Sequence, residues 1–227
     1  LLLPGTLEKT ERKIVFIGPS GAPMRALGDK IGSTIIAQSA GVSCIGWNGD
    51  HLRVDYKKEG CIPQHIYDEA NIKTVEQCVD TCKRVGFPIM IKASEGGGGK
   101  GVRKVCSVEE VGDAYRQVAS EVPGSPIFAM KLASKARHLE VQLLADCYGQ
   151  AIALNGRDCS VQRRFQKIIE EGPPIAAKPD VWPQMEQAAV ALAMEVGYSN
   201  AGTVEYLYCY DDDTFAFLEL NPRLQVE

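Results

Sequence analysis

The segment from Leu218 to Glu227 alternates strictly, with odd positions polar or charged and even positions apolar or Pro. Extended backbone throws Glu219, Asn221, Arg223, Gln225 and Glu227 to one side. That side holds two carboxylates, a guanidinium and two amides, an inventory for a divalent cation, an anion and a proton acceptor together. Read alone, the segment is equally an edge strand with a solvated face. Pro222 predicts that the ladder stops near Leu220 and gives way to a structured loop.

Three upstream features complement it. Glu205 lies in Thr203-Val204-Glu205-Tyr206-Leu207, its neighbours facing the opposite way. A hairpin across the acidic turn Asp211-Asp212-Asp213 brings Glu205 and Glu219 to one face, where with Asn221 they make an oxygen-rich site suited to Mg²⁺ and substrate phosphates. A pair of exposed strand glutamates is the plainer alternative. The loop Glu95-Gly96-Gly97-Gly98-Gly99-Lys100-Gly101 offers unobstructed backbone N–H groups to anionic oxygens, and Lys92 at the end of the preceding strand adds a point charge. It fits neither the Walker A pattern nor the dinucleotide fingerprint. A flexible linker would have the same composition, but a position between two strands favours a hairpin covering a ligand. Finally, Gln162-Arg163-Arg164-Phe165-Gln166-Lys167 is a basic run in an acidic chain, either a solvated patch or a polyphosphate or bicarbonate site. His138 opens an alternating strand, where packing is as open a role as ligand contact; His51 and His65 sit in turns and are assigned nothing.

The elements that must position these groups follow from periodicity. Ile14 to Ile17 reads as a strand, Met24 to about Ala40 as a helix and Val42 to Ile45 as a second strand, an order that implies a piece of parallel sheet. The pattern restarts near residue 66 with a helix over Thr74 to Val85, a strand over Ile89 to Lys92 and the glycine loop. A helix opened by a Ser107/Glu110 capping box and a strand over Pro126 to Met130 complete a compact α+β unit. Strands at His138 to Leu143, Ala151 to Leu154, Gly202 to Tyr208 and Thr214 to Leu220 enclose a helix over Val181 to Val196. The expected division is 1–65, a partial N-terminal parallel α/β domain, 66–131, a small α+β lid, and 132–227, a truncated antiparallel-sheet domain.

Composition is that of a globular α/β and α+β chain: 227 residues, 45% hydrophobic and 24% charged, with a net charge of −4 that argues against nucleic-acid and anionic-membrane partners. Eight cysteines lack zinc-site spacing and read as reduced thiols of a reducing compartment, with Cys78 and Cys82 one helical turn apart in a core face. No stretch approaches transmembrane length. The chain does not begin with Met, and a fragment of a longer protein is expected.

Together, Met90-Ile91-Lys92-Ala93-Ser94-Glu95 with its glycine loop, Arg137-His138-Leu139-Glu140-Val141-Gln142, Arg157 to Glu171, and Leu218 to Glu227 closely resemble the ATP-grasp biotin carboxylase family, in order and over nearly the whole chain. Ser94-Glu95, Gly124-Ser125-Pro126-Ile127-Phe128 and Leu220-Asn221-Pro222-Arg223 are most similar to the eukaryotic multidomain acetyl-CoA carboxylases. The resemblance implies an ATP-grasp fold and a ligase that carboxylates biotin with bicarbonate and ATP through carboxyphosphate, the first half-reaction of malonyl-CoA synthesis. Lys30 and Lys92 would contact ATP phosphates beneath the glycine lid, Gly96 to Gly101 with Lys100. Met130, Lys131 and Ala133 would form the adenine hinge, with His138 and Gln162 nearby. Glu205, Glu219 and Asn221 would hold Mg²⁺ or Mn²⁺. Lys167, Arg223, Gln225 and the Val226 N–H would bind bicarbonate, and Glu227 would take its proton.

The resemblance further implies a biotin carried on a separate domain, a homo-oligomeric parent, and a cytoplasmic or plastid location. The segment is expected to be inactive alone, because the family pattern continues past Glu227. Phe165 stands where the family usually has His, and offers the ribose no hydrogen bond; Gly172 replaces an Ala. Ala129-Met130-Lys131-Leu132 imitates a biotin-attachment site, but sits between Phe128 and the hinge rather than on an exposed hairpin. Two alternatives stay open: a propionyl-CoA or pyruvate carboxylase sharing the half-reaction, and a nucleotide-binding regulatory module without turnover.

Overall fold

The computed structural model describes residues 16–97, 99–163 and 166–223. Two short helices, α1 (Gly21–Leu27) and α2 (Lys30–Ser39), stand where periodicity suggests one. Gly28 ends the first and Asp29 caps the second by accepting the Gly32 N–H at 2.9 Å, so the Gly-Asp pair acts as a stop followed by a start. The strand expected at Ile14 to Ile17 lies partly outside the described residues, and Phe16 and Ile17 are not in a strand. Val42 to Ile45 forms no strand either; Cys44 makes a single parallel bridge to Phe217, the only trace of parallel pairing among the described residues. Helices α3 (Tyr56–Glu59) and α4 (Gln64–Ala70), unmarked by sequence periodicity, complete this part.

Next come α5 (Val75–Val85), β1 (Ile89–Ala93), β2 (Val102–Val105), α6 (Val108–Glu121) and β3 (Ile127–Lys131). The strands form an antiparallel sheet in the order β2-β1-β3. Its core is Cys78 and Cys82 from α5, Val111 and Val118 from α6, and Ile89, Ile91, Ala93, Ile127 and Ala129 from the sheet. The period of two sends Met90 and Lys92, paired with Met130 and Phe128, to the other face. The capping box is only half made: Ser107 forms no side-chain cap bond, and Glu110 reaches past it to accept the Cys106 N–H at 2.8 Å.

The larger antiparallel sheet runs β6-β5-β4-β7-β8, built from β4 (Ala136–Ala145), β5 (Ala151–Arg163), β6 (Gln166–Glu171), β7 (Asn200–Cys209) and β8 (Thr214–Asn221). Helix α7 (Trp182–Glu195) covers one face, burying Met185, Ala189 and Leu192 against Leu139, Val141, Val204 and Tyr206. The opposite face of β4 therefore carries His138, Glu140 and Gln142. The basic run divides between the end of β5, Gln162 and Arg163, and the start of β6, Gln166 and Lys167, which pairs with β5 at the sheet edge. No helix of the described residues is long and apolar enough to cross a membrane.

Candidate functional site

A cleft of about 860 Å³ lies between the glycine loop and the larger sheet, within the range of small-molecule sites. Its lid side is lined by Lys92, Gly96, Gly97, Gly99 and Lys100. Its back is Met130 to Ala133, and its floor is drawn from β4 to β8. Lys30, at the first position of α2, joins from the side and donates through Nζ to the Gly96 carbonyl. Gly101 is the exception: it does not line the cleft. Its φ of +68° and the 2.8 Å separation of a built Cβ from Ala93 and Val122 make it a packing and turn residue. Gly98, Gln225, Val226 and Glu227, with Phe165, lie outside the described residues.

On the floor, Glu205 and Glu219 are direct cross-strand partners in the β7/β8 ladder, on one face as the hairpin requires. Glu205 is a junction. His138 Nε2 meets its Oε2 at 2.6 Å, while the Lys167 ammonium at 2.9 Å and the Asn221 amide at 2.8 Å both donate to Oε1. Gln162 Nε2 contacts His138 Nδ1 at 2.8 Å, which links the end of β5 to the same network. Burial opposes ionisation of Glu205, but His138 and Lys167 outweigh it and hold the carboxyl down to about 2. Glu219 goes the other way: burial first, then the Glu205 charge, raises it, and the nearby Lys30 and Lys92 only partly compensate. Two crowded carboxylates, one ionised and one resisting ionisation, form a pair whose repulsion a hard cation would relieve, so the donor set fits a divalent metal.

The cationic groups are tuned by the same neighbours. Desolvation, aided by Lys30 and opposed by Glu219, lowers Lys92 from 10.5 to about 8; its Nζ lies 3.0 Å from Met130 Sδ. Desolvation also works against the charge on Lys167, yet Glu205 and Glu140 together hold it above the usual lysine value. Arg223 lines the cleft where the chain leaves β8. Lys131 also lines it, its Nζ donating to the Gly86 carbonyl at 3.0 Å, so the Ala-Met-Lys-Leu imitation is the end of a sheet strand and not an exposed hairpin.

Sequence reasoning singled out neither Glu140 nor Arg157. Glu140 is fully buried, pairs with both Lys167 and Arg157, and sits beside Glu205 in the β4/β7 ladder. Its signal was available: the alternation that exposes His138 on a strand face puts Glu140 on the same face. Cys159 lies close to Glu140 and Glu170, but burial pushes its thiol up, which makes it a neutral packing group.

Residues 58–227 match the family described as "Carbamoyl-phosphate synthase L chain, ATP binding domain". The chain is similar to the acetyl-CoA carboxylase of Dictyostelium discoideum, 63% identical over 99% of the chain and 10% of that relative. It is 59% identical to that of Saccharomyces cerevisiae over 100% of the chain and 10% of that relative. It thus spans about a tenth of the length of the curated relatives it matches. Among solved structures, biotin carboxylase from Campylobacter jejuni in a β,γ-ATP complex superposes with a TM-score of 0.83 at 33% identity, covering 96% of this chain and 45% of that one. The biotin carboxylase domain dimer of 2-oxoglutarate carboxylase from Hydrogenobacter thermophilus, complexed with MgADP, ADP and bicarbonate, gives 0.82 at 31%, covering 99% and 45%.

Proposed function

We propose, since the chain belongs to the family of carbamoyl-phosphate synthase L chain ATP-binding domains, that it is the ATP-grasp part of a biotin carboxylase serving an acetyl-CoA carboxylase. It would use ATP and bicarbonate to form carboxyphosphate and thereby carboxylate a biotin held on a separate carrier domain. The observation that carries this reading is the double engagement of Glu205, which faces Glu219 across the hairpin and also holds Lys167. A cation site and an anion site share one carboxylate there, as transfer of a phosphoryl group to a small oxyanion requires.

The placement of the described groups in the cleft supports the following roles for them. The glycine-loop N–H groups, Lys30 and Lys92 hold the ATP phosphates, and Lys92, whose charge is weakened by burial, gains it back when an anion arrives. The backbone from Met130 to Ala133 meets the adenine, with His138 and Gln162 nearby. Glu205, Glu219 and Asn221 would hold Mg²⁺ or Mn²⁺, which when bound neutralises charge on the transferring phosphoryl group. Lys167 and Arg223 bind bicarbonate, and Glu140 keeps Lys167 protonated and aimed at it. Gln225, Val226 and Glu227 are assigned to bicarbonate and its proton on the family resemblance. Closure of the lid, residues 66–131, over the catalytic part, 132–227, would exclude water from the intermediate. Residues 1–65 supply Lys30. Self-association of the intact enzyme is part of the reading, supported by the dimeric state of the Hydrogenobacter domain.

Carboxybiotin formation from labelled bicarbonate, ATP and the carrier domain, in the full-length protein, tests the reading. Bicarbonate-dependent ATP cleavage coupled to label transfer is expected; ATP cleavage indifferent to bicarbonate, or none, would overturn it.

A further inference from the structure

We infer that Asp29 and Ser94 form a latch that positions the glycine-rich loop and Lys30 for nucleotide, a positioning role distinct from that of the groups lining the cleft. The inference rests on the nucleotide-binding reading above. Ser94 is fully buried, one residue past β1 and two before the first glycine of the loop. Its hydroxyl accepts the Ile31 N–H at 3.0 Å and donates to the Asp29 carboxylate. Its carbonyl accepts the Lys30 N–H at 3.4 Å, and its own N–H donates to the Pro126 carbonyl at 2.8 Å. The other Asp29 oxygen caps α2 through Gly32, and Tyr67 of α4 stands near enough that burial and the Asp29 charge push its phenol up.

The geometry ties three elements at one point. The first turn of α2, which begins with Lys30, is bound to the residue that begins the glycine loop. Two residues on, the Gly96 carbonyl takes the Lys30 ammonium. The loop root and the lysine therefore cannot move apart without breaking the bond between the buried Ser94 hydroxyl and the half-buried Asp29, and a buried polar group deprived of its partner pays the whole desolvation cost. Neither Asp29 nor Ser94 lines the cleft. A group so placed acts through what it holds, here the register of Lys30 against the loop that must fold over phosphates. A sub-ångström error in that register falls on the phosphate contacts and not on the chemistry of Glu205.

The test compares Ser94→Ala, Ser94→Thr and Asp29→Asn in the full-length protein, each in the Lys30 and the Lys30→Gln backgrounds. ADP affinity is read by calorimetry, ATP KM and kcat by bicarbonate-dependent cleavage, and stability by thermal midpoint. Ser94→Ala is expected to weaken ADP about tenfold and raise the ATP KM more than it lowers kcat, with Thr restoring most of the loss. In the Lys30→Gln background the same change is expected to cost under about threefold, since the lysine it positions is gone. Equal losses in the two backgrounds, or a lowered midpoint with unchanged ADP affinity, would show a purely structural cluster and overturn the latch. Should Ser94→Ala fail to fold, Asp29→Asn decides: weakened ADP binding that depends on Lys30 supports the latch, and unchanged binding overturns it. A wild type without ADP binding or bicarbonate-dependent cleavage would instead overturn the site reading itself.

Discussion

Glu205 and Glu219 face each other across one hairpin, yet removing their charges should have opposite effects on stability. Glu205 satisfies His138, Lys167 and Asn221 together, so Glu205→Gln strands charged donors and is expected to cost about 1–3 kcal/mol in chemical denaturation. Glu219 is held against burial and the Glu205 charge, so Glu219→Gln is expected to leave stability unchanged or raise it. Both changes are expected to abolish bicarbonate-dependent ATP cleavage; near-normal rates in either would remove the metal assignment. Lys92 gives a second pair of opposed trends. Its ammonium is present below about 8 in the folded protein, so nucleotide affinity is expected to fall as pH rises through that value. The unfolded chain keeps Lys92 protonated up to 10.5, so between 8 and 10.5 it binds more protons than the folded protein, and stability from this group rises with pH across that window. Lys92→Met should flatten both curves. The facing carboxylates and Lys92 were legible in the sequence because strand alternation and one acidic turn fix them. Alternation placed Glu140 on the face of His138, but its pairing with Arg157 was not legible, because an ion pair looks like any strand polar residue until its partner strand is known.

Strands carry most of the cleft, and a strand's two faces explain why. In β1, Ile89, Ile91 and Ala93 enter the lid core while Met90 and Lys92 face the cleft side; in β3, Ile127 and Ala129 belong to the lid while Phe128 and Met130 belong to the main core. These assignments follow from a period of two, and hairpins with short turns were equally readable. What misled sequence reading was end chemistry: Gly28-Asp29 splits a helix whose apolar spacing runs unbroken, and β6 hides in a charged run because only its pairing with β5 makes it a strand. Gly156 is a position where close approach, not composition, decides. A Cβ there would lie 1.9 Å from the Glu140 carbonyl and 2.6 Å from the Trp182 ring. Gly156→Ala is therefore expected to force β4 and β5 apart, at a cost of about 1–3 kcal/mol, and to loosen the Glu140–Arg157 pair carried by those strands. Calorimetric unfolding checks the first effect. A midpoint within one degree of wild type would show that the strands shift without cost.

At the scale of the whole molecule, two hydrophobic cores meet along β3, and the helical segment is bonded to the lid at several points, among them the Ser94 cluster and Asn48. Trp47 packs edge-on against Phe128 with centroids 5.9 Å apart. Asn48, almost fully buried, ties the lid strand to the helical segment: its Oδ1 accepts the Ala129 N–H at 2.8 Å, its Nδ2 donates to the Ala70 carbonyl at 2.7 Å, and its backbone N–H donates to the Ala129 carbonyl at 3.0 Å. Three bonds from one side chain and its backbone make Asn48 a cross-link between the helical segment and the lid. Asn48→Ala leaves the Ala129 N–H and the Ala70 carbonyl without side-chain partners and is expected to cost about 2–3 kcal/mol. Because each core is continuous within itself and Asn48 bonds across the junction, the loss should appear as uncoupling rather than as uniform weakening. Hydrogen exchange is expected to show residues 72–129 opening at lower free energy than β4, β7 and α7 in the variant, with ADP closing the gap by bridging both sides of the cleft. Equal acceleration across both cores, with or without nucleotide, would mean that they fold as one unit and that lid motion is set elsewhere than at Asn48.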